Sequence, residues 1–235
     1  MRKISENSHY LRNQSWKYLG WTVVFLLLFV ILFGLTGYTV LFKTRNIGGR
    51  EGIGFVGALI LLASSWFYQR KYHIYKGGWQ GEKTVVNTLT KNLGNEYYLI
   101  NGAYIRGDRG DVDHILLGPS GVYVLETKNW RGKITCYGDQ WLRSGKKIKN
   151  SPSLQIKRNT QKIIHLVGNA PTLRDIHIWV EGLLVFTNPN TDLNINNPTV
   201  TTLKLAKLSE YIKKQPNNRL TKEQIQQIIK QIQNI

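Results

Sequence analysis

Residues 18 to 42, YLGWTVVFLLLFVILFGLTGYTVLF, contain no charged side chain, and neither do residues 52 to 69, GIGFVGALILLASSWFYQ. As α-helices rising ~1.5 Å per residue they span ~37 and ~27 Å, against a bilayer hydrocarbon core of ~30 Å. Both are therefore expected to cross a membrane. A cleaved signal peptide fits the first stretch poorly, because its apolar run and leader are too long and no small-x-small site ends it. The linker at 43–51, KTRNIGGRE, is short and glycine-rich. It makes the pair a helical hairpin with both chain ends on one side.

Flanking charge assigns the sides. Arg2, Lys3, Arg12 and Lys17 precede the first stretch and Arg70, Lys71 and Lys76 follow the second, whereas the linker holds Lys43, Arg45 and Arg50. Seven positives against three place the ends inside and the linker outside. The single cysteine, Cys136, excludes an intrachain disulfide framework and suits a reducing compartment. The expectation is a two-span protein of a cell (inner) membrane with a cytoplasmic soluble domain. From residue 70 onward the chain carries 25 of the 32 Lys and Arg and 12 of the 14 Asp and Glu, a net +13. Such a field attracts a polyanion, either nucleic acid or the anionic leaflet beside the domain.

Beyond a joint expected at Gly77-Gly78, GEKTVVNTLTKNL has helical spacing and ends at Gly94. A strand at 97–105 and the polar turn RGDRGD follow. Residues 112–118 and 121–128 form the arms of a hairpin around Pro119-Ser120, and 133–138 with 140–144 a second one. A helix at 152–167 begins with Pro152 in its first turn, a central strand occupies 177–187, and NPNTDLNINNP at 188–198 is expected to be loop. Two helices close the chain, the last introduced by the N-cap candidate Thr221. This order suggests an α/β fold, a mixed sheet flanked by helices.

The first hairpin carries the chemistry. In a symmetrical two-residue turn at 119–120, cross-strand partners have numbers summing to 239, so Asp113 falls opposite Glu126 on the same face. Opposed carboxylates repel unless a cation lies between them, and oxygen ligands suit Mg²⁺ or Mn²⁺. Lys128, two residues past Glu126, points the same way. Two carboxylates and a lysine suit metal-dependent phosphodiester hydrolysis, with Lys128 orienting water or stabilising charge. A solvated strand end, with Lys128 paired to Asp111, would place the same residues. His114 alternates to the opposite face and is expected in the core. Arg131, Lys133, Arg143, Lys146, Lys147 and Lys149 are candidate phosphate-backbone contacts, and Trp130, Tyr137 and Trp141 could stack on bases or cover apolar surface. Cys136 has no partner at zinc-ligand spacing.

Gly81-Glu82 on a helix, then DVDHILLGPSGVYVLETKNWRG at 111–132, then Gln155 in a later helix, together resemble the NERD (nuclease-related) domain over about residues 78–187. That family is placed in the PD-(D/E)XK, restriction-endonuclease-like superfamily. The resemblance implies an α-β-β-β-α-β core around Asp113, Glu126 and Lys128. It adds Glu82 as an acidic residue facing the metal and Gln155 as a phosphate or water contact. Asn150-Ser151-Pro152 inserts a serine where the family has Asn-Pro. The chain then divides into a cytoplasmic segment 1–17, spans 18–42 and 52–69 around the external linker 43–51, the domain 78–187, and a helical extension 188–235. The functions that follow are a membrane-anchored nuclease acting on DNA or RNA or, in its place, an inactive module of the same fold that tethers nucleic acid or a partner. Restriction-like folds often pair to cut duplexes, so a homodimer is among the expected arrangements.

Overall fold

In the computed structural model, residues 1–4, 9–44, 47–104, 111–169 and 178–233 are described. The chain forms two compact units, Met1–Ser8 with Gln80–Ile235, and His9–Trp79. Residues 106–110 of the RGDRGD turn and residue 177 of the 177–187 stretch lie outside the described residues.

The His9–Trp79 unit is built from α1 (Tyr10–Tyr38), which continues as a π-helix over Thr39–Thr44, and α2 (Gly49–Asn92), which runs on out of the unit. Small side chains line the helix contact. Ser15, Thr36, Ala58 and Ser65 are buried, the Ser65 hydroxyl donates to the Thr22 carbonyl at 3.2 Å, and Gly54 lies too close to Thr36 for any Cβ. Small residues let helix backbones approach where no hydrophobic force separates lipid from protein. The outward faces leave Leu27, Val30, Ile31, Leu59 and Ile60 each more than half exposed. Two helices are thus long and apolar enough to cross a membrane. The expected joint at Gly77-Gly78 does not interrupt α2. A Cβ at Gly78 would meet Leu11 at 3.2 Å, so this glycine serves close helix packing and not a break.

In the other unit a six-stranded sheet has the order β1 (Arg2–Lys3), β2 (Tyr98–Tyr104), β3 (Asp111–Gly118), β4 (Gly121–Lys128), β8 (Val180–Phe186), β10 (Thr201–Lys204). A four-stranded sheet runs β7 (Lys146–Lys147), β6 (Gln140–Arg143), β5 (Gly132–Gly138), β9 (Thr191–Pro198). The β2–β3–β4 run is antiparallel and β4–β8–β10 parallel, giving the mixed sheet expected. β9 corrects the loop expected at 188–198. It pairs in parallel with β5 at the sheet's edge, where one side faces water. Leu193 and Ile195 turn inward to the third core cluster and alternate with Asp and Asn, but two apolar residues among so many Asn are too short a signal to read as a strand. The N-terminal β1, which has no sequence signature, pairs with β2.

β4 is buried from Gly121 to Glu126 because both faces of the sheet are covered. On one face Ile115, Leu117, Val122 and Val124 pack against α3 (Pro152–Gly168) and α5 (Lys222–Gln233). On the other, Leu116, Tyr123 and Leu125 meet Val85, Val86 and Leu89 of α2 and Leu208 and Ile212 of α4 (Leu205–Lys213). A third cluster joins Leu184 and Phe186 of β8 to Ile134, Cys136 and Trp141 of the smaller sheet. α5 begins with a capping box: Gln224 N–H donates to the Thr221 hydroxyl, and Thr221 N–H to the Gln224 side chain.

Candidate active site

Strand parity assembles the site. Val122 and Val124 face α3, so Glu126 and Lys128, two and four residues on, face it too, and Asp113 does so from β3 by the same count from Ile115. The hairpin register is the expected one, from Gly118–Gly121 to His114–Leu125. Main-chain pairing of β3 with β4 then stops. At the next position Asp113 accepts the Thr127 backbone N–H through Oδ2 at 2.7 Å, so its carboxylate replaces a ladder bond at the strand's end.

Glu126 is 1% exposed. Its Oε1 accepts from Lys128 Nζ at 2.6 Å, and its Oε2 is buried with no hydrogen-bond partner. Lys128 thus pairs with Glu126, and not with Asp111 as the solvated-end reading had it. The Lys128 ammonium also donates to Gln155 Oε1 at 3.1 Å and lies 5.8 Å from the Trp130 ring centre. Gln155 reaches it because α3 starts where it does. Ser151 is the N-cap, its hydroxyl accepting from Leu154 N–H at 3.4 Å, with Pro152 in the first turn. The inserted serine therefore supplies the cap and leaves Gln155 directed at the lysine.

The base of α3 is held by Asp139, in the β5–β6 turn. It accepts from Lys157 at 2.8 and 2.9 Å, from Ser153 at 2.7 Å, and from Thr199. These bonds hold its carboxyl down at about 2. Trp141 donates from its indole to Ser153 and stacks on Phe186, which Trp130 meets edge-on. Trp141 is therefore a core residue and unable to stack on a base, while Tyr137 is exposed.

Glu82 arrives from the other layer. α2 covers the opposite face of the sheet, and Gly81 brings it close: a Cβ there would lie 2.9 Å from Thr187 Oγ1 and 3.0 Å from Asn129 Cβ. Burial raises the Glu82 carboxyl to about 7, with repulsion from Glu126 and Asp111 adding to it. Burial also raises Asp113 well above the usual range, aided by Glu126 and Glu82 and opposed by the Thr127 N–H and Lys128. Glu126 is raised by burial and drawn back by Lys128 and Arg158. The three carboxylates thus repel one another. Among the described residues no three His, Cys, Asp or Glu side chains form a group able to hold an ion.

The donor set still fits Mg²⁺ or Mn²⁺. Asp113 and Glu126 offer hard oxygens, and the Glu126 Oε2 is a buried carboxylate oxygen with no hydrogen-bond partner. Mg²⁺ keeps several waters and commonly takes only one or two carboxylates.

His114 is fully buried, its Nδ1 2.8 Å from Asn101 Oδ1, and burial pushes it down to about 3, so it is a neutral core imidazole. Cys136 is buried with its thiol on the Gly138 carbonyl, and burial raises its pKa. Arg131, Lys133, Arg143, Lys146, Lys147 and Lys149 are all exposed. The β5–β6–β7 register puts Lys133 and Lys147 on one face of the smaller sheet and Arg143 and Lys146 on the other, so they do not form a single surface. Sequence reasoning missed Arg158, which acts on Glu126 from one turn beyond Gln155. Its three-residue spacing from Gln155 was the available signal.

Residues 77–187 match the family profile of the nuclease-related domain. An uncharacterized protein of Bacillus anthracis is 38% identical over 74 residues, 30% of this chain and 34% of that protein. The match thus spans about a third of that relative's length. No solved structure matches.

Proposed function

From the match of residues 77–187 to the nuclease-related domain, we propose that the chain is a membrane-anchored, divalent-metal-dependent nuclease hydrolysing phosphodiester bonds of DNA or RNA. The observation that carries this reading is Glu126, a buried carboxylate with one oxygen on Lys128 and the other unpartnered. Stability alone gives no reason to bury an acid in this way.

Asp113 and Glu126 would hold the ion, with Glu82 adding negative potential from the opposite layer. When bound, Mg²⁺ or Mn²⁺ neutralises phosphate charge and lowers the pKa of a bound water. Lys128 is held between Glu126 and Gln155, so its ammonium donates to the attacking water or to developing phosphate charge. The two apolar helices anchor the domain at the inner face of a cell membrane. The chain leaves the sheet unit after Ser8 and returns to it at Gln80. Two crossings in between bring it back to the side it left.

The test is titration of Mg²⁺ and Mn²⁺ into the detergent-solubilised chain, with cleavage of labelled DNA and RNA followed in parallel. Saturable binding and cleavage, both lost in Glu126→Ala and Asp113→Ala while folding persists, are expected. Cleavage unaffected by either change would sink the proposal. That no three His, Cys, Asp or Glu side chains among the described residues form a group able to hold an ion favours a second reading, a non-cleaving module that tethers nucleic acid or a partner. Oligonucleotide binding without metal uptake or cleavage would establish it.

A further inference from the structure

α3 carries Lys157, Arg158 and Lys162 and no Asp or Glu along its 17 residues. Lys157 is engaged by Asp139. Arg158 is exposed, and no described carboxylate is ion-paired to it. Gln155 and Arg158 are three residues apart, so they are neighbours on one side of the helix, ~5–6 Å between Cβ atoms.

The Gln155 amide has a dictated orientation. An ammonium only donates, so the amide turns Oε1 to Lys128 at 3.1 Å and directs its NH₂ the other way. A donor pair, the Gln155 amide and the Arg158 guanidinium, therefore stands on α3 beside Lys128. The Arg158 charge is also felt at Glu126, whose carboxyl it draws down. Lys162 extends the row by one further turn, so that 155 to 162 covers ~10 Å, about three nucleotides of duplex rise.

We propose that Arg158 is a phosphate-binding residue of this site, acting with Gln155, and that the nucleic-acid strand lies along α3 and not across the smaller sheet. The proposal rests on the nuclease reading for its substrate class. It differs from the sequence expectation, of whose six basic residues the register puts Lys133 and Lys147 on one face and Arg143 and Lys146 on the other.

The test uses the full chain in detergent with a fluorescein-labelled oligonucleotide, Ca²⁺ replacing Mg²⁺ to allow binding without turnover, and anisotropy read over a salt series. Arg158→Ala is expected to weaken binding about tenfold and to reduce the salt slope by ~0.7 for single strands or ~0.9 for duplex, the loss of one phosphate contact. Arg158→Lys should restore most of the slope. Lys230→Ala, which removes the same charge from the exposed part of α5, should stay within about twofold of wild type. Arg158 is exposed, so its variants should keep the wild-type melting temperature.

Arg158→Ala binding like wild type, with the loss appearing in Lys146→Ala/Lys147→Ala, would overturn the proposal. A wild type that cleaves under Mg²⁺ beside an unaffected Arg158→Ala removes the Arg158 contact and keeps the nuclease. Loss of binding in Arg158→Ala with no cleavage by any form keeps the contact and removes the nuclease. Failure of wild type to bind any oligonucleotide removes both.

Discussion

A carboxyl pushed up to about 7 makes Glu82 a proton binder in the folded state. Between its ordinary value near 4.5 and about 7, the folded chain holds a proton that the unfolded chain releases. The stability this confers is complete below pH ~4.5 and is lost as pH rises to about 7. The shift sets an upper size of about 3 kcal/mol. Without divalent cation the chain should therefore melt higher at pH 5 than at pH 8, and Glu82→Gln should flatten that difference. A divalent ion should favour the charged forms and release protons on binding, measurable in buffers of different ionisation enthalpy. Gly81 sets how near Glu82 comes. Gly81→Ala should destabilise by about 1–3 kcal/mol through its contacts with Thr187 and Asn129. Lys128→Met should cost about 3–5 kcal/mol by leaving Glu126 buried without its cation, and the double change Glu126→Gln/Lys128→Met should recover much of that loss. Chemical denaturation of the four proteins gives the coupling.

The element that matters most is α3, because it carries Gln155 to Lys128. Its cap Ser151, its tie Ser153–Asp139 and the Lys157–Asp139 pair all act at its first two turns. Asp139→Ala is expected to lower the melting temperature by roughly 3–6 °C and to reduce cleavage more than that loss explains, since Gln155 loses its fixed position. Measured kcat at a temperature where both proteins are fully folded separates the two effects. The β3–β4 hairpin shows how far local sequence reaches. Its register to His114–Leu125 follows from a two-residue turn and alternating side chains. Its last position does not, because Asp113 bonds Thr127 N–H directly, a choice made by the end of the sheet.

For the whole molecule, the sheet edge formed by β1 depends on a segment that precedes both apolar helices. Arg2 N–H donates to the Tyr97 carbonyl at 2.8 Å and Ile4 N–H to the Leu99 carbonyl at 2.9 Å. Deleting residues 1–4 removes both bonds, and at about 1 kcal/mol each the melting temperature should fall by roughly 5 °C. Topology is checked by cysteine labelling, since Cys136 is buried and contributes little background. An impermeant maleimide applied to intact spheroplasts should label Gly48→Cys, and should reach Lys230→Cys only after permeabilisation.

From the sequence alone followed whatever depends on neighbours along the chain. That comprises the two apolar helices, the hairpin turn and its register, the helix starts at Pro152 and Thr221, and the shared face of Asp113, Glu126 and Lys128, since alternation along a strand is a local rule. Only the tertiary structure decided the remainder. It joined β1 to β2 and turned a polar Asn-rich segment into a strand. It placed Glu82 in the layer opposite the other two carboxylates, divided the basic residues of the smaller sheet between its faces, and brought Arg158 towards the site. Each depends on which surfaces are covered once distant segments meet, and burial of that kind leaves at most a short mark on the segments themselves, such as the Leu193–Ile195 alternation of β9.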